Sequence, residues 1–403
     1  MRILFLTQVL PYPLDAGPKI RAYYVLRHLA AWHEVTLLSF VRESEKPDRI
    51  EHLRGFCREV HTVLIHRSRA RDALHLLCSL VTNQPFLIMR DSVRGIRERV
   101  QQLAAGGQFD VVHADQLWMA QYAVGLNGVK RVLDQHNAVY CIPQRLAQHE
   151  PNPLKRLLLE LEWRKLARYE AEVCRQFDHV ITVTEEDKQI LSQFSIPNSQ
   201  FTIIPICVDP SEIPVVERNP EVKNIISIGT MFWPPNVDGV LWFAREVFPL
   251  IKQQVPEARF YVVGKNPPRE IRQLSKPKSQ VPSPIIVTGY VEDPTPYFAD
   301  SAVFIVPLRA GGGMRVKILD AWARGIPIVS TTIGCEGIQV RHGENILVAD
   351  TPEDFTQATV SLMRDRAKAD ELARRGRCLV EERYDWRVAY RPLARLYEAL
   401  VRI

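Results

Sequence analysis

The chain has 403 residues, 46% of them hydrophobic and 24% charged, with a formal net charge of +6. That length exceeds what one ordinary core supports and points to two domains, while prolines and glycines scattered along it exclude a collagen-like, low-complexity or linker-rich protein. The seven cysteines are odd in number and contain no C-x-x-C pair, so reduced structural thiols are expected rather than zinc or redox chemistry.

The chain enters a strand-like run, Ile3–Val9, without the features of a secretion signal, and no stretch approaches the roughly 20 apolar residues that span a bilayer. A cytoplasmic protein is expected. Short apolar runs then alternate with longer helical patterns, the mark of parallel strands joined by crossover helices. The runs of the first half are Glu34–Phe40, Val60–Ile65, Phe109–Ala114, Arg131–Asp134, His179–Thr184 and Phe201–Ile206, with the clearest helical stretch at Asn152–Phe177. Between Leu53 and Val100, nine arginines face four acids. This basic 53–100 region predicts a solvated helical face or peripheral contact with an anionic membrane at its inner side. It has no interleaved aromatics and no nucleic-acid motif, so no nucleic-acid partner is expected.

A second series of strands follows a polar, proline-containing segment: Asn224–Gly229, Ala258–Gly264, Ile285–Gly289, Ala302–Pro307, Pro327–Thr331 and Ile346–Ala349. The expected organisation is an α/β Rossmann-like domain over 1–215, a second over 216–385, and a final helical segment over 386–403. In that segment Val388, Leu393, Leu396, Leu400 and Val401 form an apolar stripe that packs back on the first domain. Ligands of open parallel sheets bind beyond the carboxyl ends of the strands, so the chemistry is expected in those loops.

The most informative loop is Gly311-Gly312-Gly313-Met314-Arg315-Val316-Lys317, which leaves a buried strand and opens a helix. Glycines let backbone N–H groups approach a bound anion, and the helix N-terminus adds a partial positive charge. Arg315 and Lys317 supply full charges for a diphosphate, and Asp320, a turn further on, can accept from ribose hydroxyls. No Walker A spacing occurs, and no two aspartates are separated by one residue, so no metal site is predicted. At the ends of first-domain strands, His113 and Asp115 are candidates to face an acceptor.

The run from Gly311 to Thr331 resembles glycosyltransferase family 4, retaining enzymes of the GT-B fold, in a branch with the pattern G-G-G-x-R-x-K-I-L-E-A. The resemblance covers almost the whole chain and implies two Rossmann-like domains facing across a cleft, with a C-terminal helix crossing back to the first. The family commonly carries two glutamates eight positions apart, on the donor sugar and the ribose. Here Gly312 and Asp320 stand there, so backbone N–H groups must hold the sugar. Ser227–Asn236 is similar to a G-x-M-x-W-x-P-N signature, which places Gly229 and Thr230 near the phosphates. Thr288–Asp293 resembles the loop against the base, through Gly289, Tyr290 and Val291. Pro11–Arg21 resembles a loop in which Gly17 approaches the donor phosphate, with Arg21 assigned to the acceptor side, and His136-like residues touch the donor sugar. His136, Arg315 and Lys317 are therefore the expected catalytic residues. The implied activity is transfer of a hexose-type sugar from a UDP- or GDP-sugar to a glycan or lipid-linked acceptor, without a cofactor. A nucleotide-sugar epimerase of the same fold and a non-catalytic nucleotide-sugar-binding protein are the alternatives.

Overall fold

The computed structural model describes residues 1–106, 109–197, 200–219, 221–276 and 283–401. The chain divides into two compact units, Met1–Cys207 with Trp386–Ile403, and Val208–Asp385. The division falls at Cys207, before the position near 215 suggested by composition.

The first unit contains β1 (Arg2–Thr7), β2 (Glu34–Val41), β3 (Glu59–Leu64), β4 (Val111–Asp115), β5 (Lys130–Gln135), β6 (His179–Thr182) and β7 (Phe201–Ile203). They form one parallel sheet in the order β3-β2-β1-β4-β5-β6-β7. Alternate residues of each strand point to opposite faces, so Ile3 and Phe5 enter one core while Leu4 and Leu6 enter the other. Both faces are covered, which is why the strands read as continuous apolar runs rather than alternating ones.

The second unit contains β8 (Asn224–Ile228), β9 (Arg259–Val263), β10 (Ile285–Gly289), β11 (Val303–Val306), β12 (Ile328–Ser330) and β13 (Leu347–Val348). Its parallel sheet runs β10-β9-β8-β11-β12-β13. Each of the thirteen expected apolar runs overlaps one of these strands. No helix among the described residues is long and apolar enough to cross a membrane.

The last segment returns to the first unit. Tyr390, Leu393, Leu396, Tyr397 and Leu400 are buried in the same core as Ile3, Phe5 and Val132. It is not one continuous helix: a short helix, Trp386–Ala389, precedes a longer one, Arg391–Val401. Pro392 has no N–H to continue the ladder and its ring crowds the preceding turn, so the break falls just before it. Val388 is only half-buried, and the Val401 side chain lies outside the described residues. The stripe is completed instead by Tyr390 and Tyr397, whose rings fill the space that aliphatic residues were expected to fill.

The Tyr397 hydroxyl lies 2.6 Å from His113 Nδ1, both groups being fully buried. Tyr397→Phe keeps the ring but orphans one imidazole nitrogen, and should lower unfolding stability by about 1–3 kcal/mol. Tyr397→Ala also opens a cavity and should lower it by about 3–5 kcal/mol. Urea unfolding followed by tyrosine and tryptophan fluorescence will separate the two. Equal, negligible shifts would show that the C-terminal helix adds nothing to the first core.

Candidate active site

In the second unit the strand order reverses between β8 and β11, and the loops after these two neighbouring strands build the site. The loop after β11 carries the three glycines. Gly311 and Gly313 have φ of 122° and 76°, a backbone region that side chains rarely adopt. Arg315 closes the loop on itself: its guanidinium donates to the carbonyls of Gly312 and, at 2.6 Å, of Gly313. The helix Val316–Ala323 starts at the next residue.

Lys317, in the first turn of that helix, reaches the loop after β8. Its Nζ donates to Asn236 Oδ1 at 3.0 Å, and Asn236 Nδ2 in turn donates to the Thr230 carbonyl at 2.9 Å. A Cβ added at Gly229 would sit 3.0 Å from the Lys317 ammonium, so the glycine is what lets the lysine approach. Burial and the neighbouring Arg315 guanidinium bring the Lys317 ammonium down to about 7. An anion placed beside the ammonium would favour its charged form.

The loops after β8, β9 and β10 are stitched along the same edge. Gly229 N–H donates to Val263, Gly264 N–H to Gly289 at 2.8 Å, and Met231 N–H to Lys265 at 3.1 Å. Tyr290 is exposed there, with Lys265 Nζ 5.7 Å from its ring centre. Val291 and Thr230 are half-exposed, while Met314, just after the three glycines, is buried. Asp320 is paired to Arg324 at 3.2 Å and remains partly exposed; burial raises its carboxyl. Arg324 also donates to Thr295 Oγ1 at 2.9 Å, tying Asp320 to the segment after β10.

The first unit places His136 just after β5, with Nε2 2.8 Å from Asp115 Oδ1 at the end of β4. Asp115 is followed by Gln116 at φ 71°, a strained backbone for a residue with a side chain. Gly17 opens the helix Gly17–Ala30 and is half-exposed. Arg21 and His113, expected on the acceptor side, are instead fully buried. Arg21 binds both carboxylate oxygens of Asp134 at 3.0 Å and the Pro205 carbonyl at 2.7 Å, and its guanidinium faces the Tyr390 ring. Burial pushes His113 down to about 4, so it is a neutral partner of Tyr397. Neither presents surface to a ligand. Asp115 is buried as well, with its Oδ1 against His136 Nε2.

Asp115, Asp134 and His136 bring three potential ligand atoms within 4.8 Å of one another. Arg21 already neutralises Asp134 and occupies both of its oxygens, so a cation there would have to displace the guanidinium. Three further groups contact expected residues or their loops without having been singled out from the sequence: Asn236 and Arg324 in the second unit, and Glu170 in the first. Glu170 is buried, accepts from Val139 N–H at 2.9 Å, Tyr140 N–H at 3.1 Å and Gln135 Nε2 at 2.8 Å, and is pushed up to about 8 by burial. It shapes the loop that follows His136. Asn236 sat in plain view within Trp233-Pro-Pro-Asn236; its role needed the contact with Lys317.

Residues 17–212 match the family model described as Glycosyltransferase Family 4, and residues 222–365 the one described as Glycosyl transferases group 1. Over nearly its full length the chain is similar to the uncharacterized 44.6 kDa protein in the cps region of Klebsiella pneumoniae, at 21% identity with 95% of this chain and 96% of that protein aligned. A GDP-mannose-dependent alpha-(1-6)-phosphatidylinositol monomannoside mannosyltransferase of Mycobacterium tuberculosis is 27% identical over 34% of this chain and 38% of its own. Sucrose-phosphate synthase from Thermosynechococcus elongatus has a similar structure, at TM-score 0.74 and 17% identity over 99% of each chain. So does Anabaena Alr3699/HepE in complex with UDP-glucose, at TM-score 0.68 and 13% identity over 99% of this chain and 100% of that one. The structural likenesses speak for the fold, and the two family models between them span both units: the chain is a glycosyltransferase of the family 4 type, with two Rossmann-like domains of the GT-B fold.

Proposed function

We propose that the protein transfers a hexose-type sugar, with retention of configuration, from a UDP- or GDP-linked donor to a hydroxyl of a glycan or lipid-linked saccharide. We place this activity in the cytoplasm, at the inner face of the membrane. The observation that carries the reading is the meeting of Lys317, Arg315 and the Gly311–Gly313 loop with Gly229 at the reversal point of the second sheet. Two cations, a helix N-terminus and a glycine-rich backbone in one place suit a diphosphate. The Anabaena protein binds UDP-glucose and the mycobacterial relative uses GDP-mannose, which supports either base.

In this reading the acceptor oxygen attacks the anomeric carbon as the bond from that carbon to the diphosphate oxygen breaks. The acceptor proton passes to the departing diphosphate on the same face, leaving a glycoside and a nucleoside diphosphate. Arg315 and Lys317 stabilise the charge that grows on the leaving group. The sugar is assigned to the N–H groups of the glycine loop and to His136, whose ring is held by Asp115. Asp320 and the Gly289–Val291 segment are assigned to the ribose and base. Gly17 is assigned to the phosphate.

Arg315→Ala and Lys317→Ala should each lower kcat/KM about tenfold to a thousandfold with the fold intact, because the charges act mainly on the leaving group. Asp320→Asn should raise KM for the donor and leave kcat close to wild type. EDTA should leave turnover unchanged, since protein cations neutralise the diphosphate. The assay is release of nucleoside diphosphate with circular dichroism as the fold control, and wild-type rates from a folded Arg315→Ala, Lys317→Ala protein would overturn the assignment. Incubation with donor alone tests the reaction class, because an epimerase would convert it.

Donor binding should also take up a proton. The unfolded-state lysine titrates near 10.5 and the folded, unliganded one near 7. A bound diphosphate favours the ammonium, so above about pH 7 binding draws a proton from buffer, and well below it none. Donor affinity should therefore weaken as pH rises through 7. Calorimetry of UDP-glucose or GDP-mannose binding in buffers of different ionisation enthalpy, at about pH 8, should give an uptake approaching one proton. Lys317→Met should abolish it, and zero uptake by the wild type would count against a diphosphate that recharges Lys317.

A further inference from the structure

Two helices of the first unit present leucines to water. In the helix Arg69–Val81, Ala70, Ala73, Leu74, Leu77, Leu80 and Val81 are all exposed. Leu77 is 61% and Val81 85% exposed. Their spacing of three and four residues puts them on one stripe of about a third of the helix circumference. Ser79, on the opposite side, is buried against the protein. The arrangement is the reverse of an ordinary surface helix, whose apolar stripe faces the core.

The long helix Pro153–Gln176 repeats the pattern. Leu154, Leu157 and Leu161 are exposed, and Leu154 reaches 66%. The end of the first helix meets the middle of the second: Lys165 Nζ donates to the Ser79 carbonyl, and the Glu162 carboxylate accepts at 3.0 Å each from the N–H groups of Phe86 and Leu87, in the short helix that follows. Leu161 thus adjoins the turn that carries Leu80 and Val81.

Exposed cations accompany both helices, and on the first they flank the stripe. Arg69 and Arg71 fall on either flank of the first, and exposed Lys155, Arg156 and Arg168 lie along the second helix. The broader basic excess of the 53–100 region is a weaker feature than its count implied. Arg54, Arg58, Arg67 and Arg94 are each paired with a carboxylate, and surface pairs of this kind leave little net field. The apolar stripes carry the argument instead.

We propose that this face lies in the interfacial layer of an anionic phospholipid bilayer, the leucines among the acyl chains and the flanking arginines and lysines at the phosphates. A continuous apolar patch costs free energy in water, and long cationic side chains beside it can bury their stems while keeping charge at the headgroups. A basic amphipathic helix lying in the plane of the interface has this composition. The proposal deepens the reading of a membrane-facing acceptor by naming the contact surface; it requires neither donor nor turnover.

The test is co-sedimentation of the full chain with phosphatidylcholine vesicles made with and without phosphatidylglycerol. Wild type should bind the anionic vesicles and be released as salt is raised. Leu74→Glu, Leu77→Glu and, separately, Arg69→Glu, Arg71→Glu should each reduce the bound fraction about tenfold. Leu154→Glu, Leu157→Glu tests the second stripe by itself, should the first pair disturb folding. Far-UV circular dichroism and the thermal shift given by UDP-glucose or GDP-mannose should stay at wild-type values in all three. Binding that ignores phosphatidylglycerol, binding equal in wild type and variants, or no binding would overturn the proposal. So would a dimer in solution that the leucine variants dissociate, which would assign the face to a second copy. Loss of the donor shift with vesicle binding intact would count against the donor site and leave this face standing.

Discussion

In both sheets every strand runs parallel, and the order of connection reverses once, beside β1 in the first and beside β8 in the second. Crossovers leave in opposite directions at such a point, so the two flanking loops part and open a crevice at the carboxyl edge. In the second unit all the groups assigned to the diphosphate lie on the loops and helix that follow β8 and β11. Lys317 spans the gap between them, and a side chain at position 229 would have to share space with its ammonium. The cation is thus held where water is scarce and a second cation is close, and its proton is loosely bound. Such an arrangement suits an anion.

The first unit solves the opposite problem at the same edge. A guanidinium and a carboxylate are buried together, which is tolerable only when their hydrogen-bonding capacity is nearly used up. Arg21 spends its donors on both oxygens of Asp134 and on the Pro205 carbonyl, and its flat face lies toward Tyr390. His113, kept neutral by burial, fills the remaining space and is held by Tyr397. Residues from the start, middle and end of this unit's sequence are therefore locked around β5. The outcome is positional: the ends of β4 and β5 are fixed, and Asp115 can hold the His136 ring in a single orientation. The C-terminal helix contributes two tyrosines to that lock, which makes it part of the site's foundation as well as of the core.

The parallel sheets and the glycine loop were legible in the sequence because each is a local pattern. Buried parallel strands read as short apolar runs, and three glycines before a cationic helix start read as an anion cradle. What was not legible depends on partners far away in the chain. Arg21 follows a glycine-bearing loop and looks like a ligand residue until Asp134, 113 positions later, is seen to hold it. The aliphatic stripe of the last segment was readable, but the buried tyrosines within it were not, since a tyrosine is equally at home on a surface. Periodicity finds an apolar face on a helix and says nothing about which way that face points. The exposure of the leucines at 154, 157 and 161 is therefore seen only in the structure.

Direction matters most in that long helix, because its two ends do different things. One end carries exposed leucines; the other carries Glu170, whose carboxyl receives the backbone N–H groups of Val139 and Tyr140 just past His136. Twenty-four residues of α-helix make a rod about 36 Å long, bonded along its whole length and uninterrupted by proline or glycine after its first residue. Such a rod transmits position rather than conformational change, since nothing in it has two discrete arrangements. Burial raises the Glu170 carboxyl, and its hydrogen bonds from Val139, Tyr140 and Gln135 fix the inner contact in place. A membrane at the leucine end would therefore set where the His136 loop stands above the headgroups without altering its shape. For an enzyme whose acceptor lies in that surface, a fixed height is the useful property.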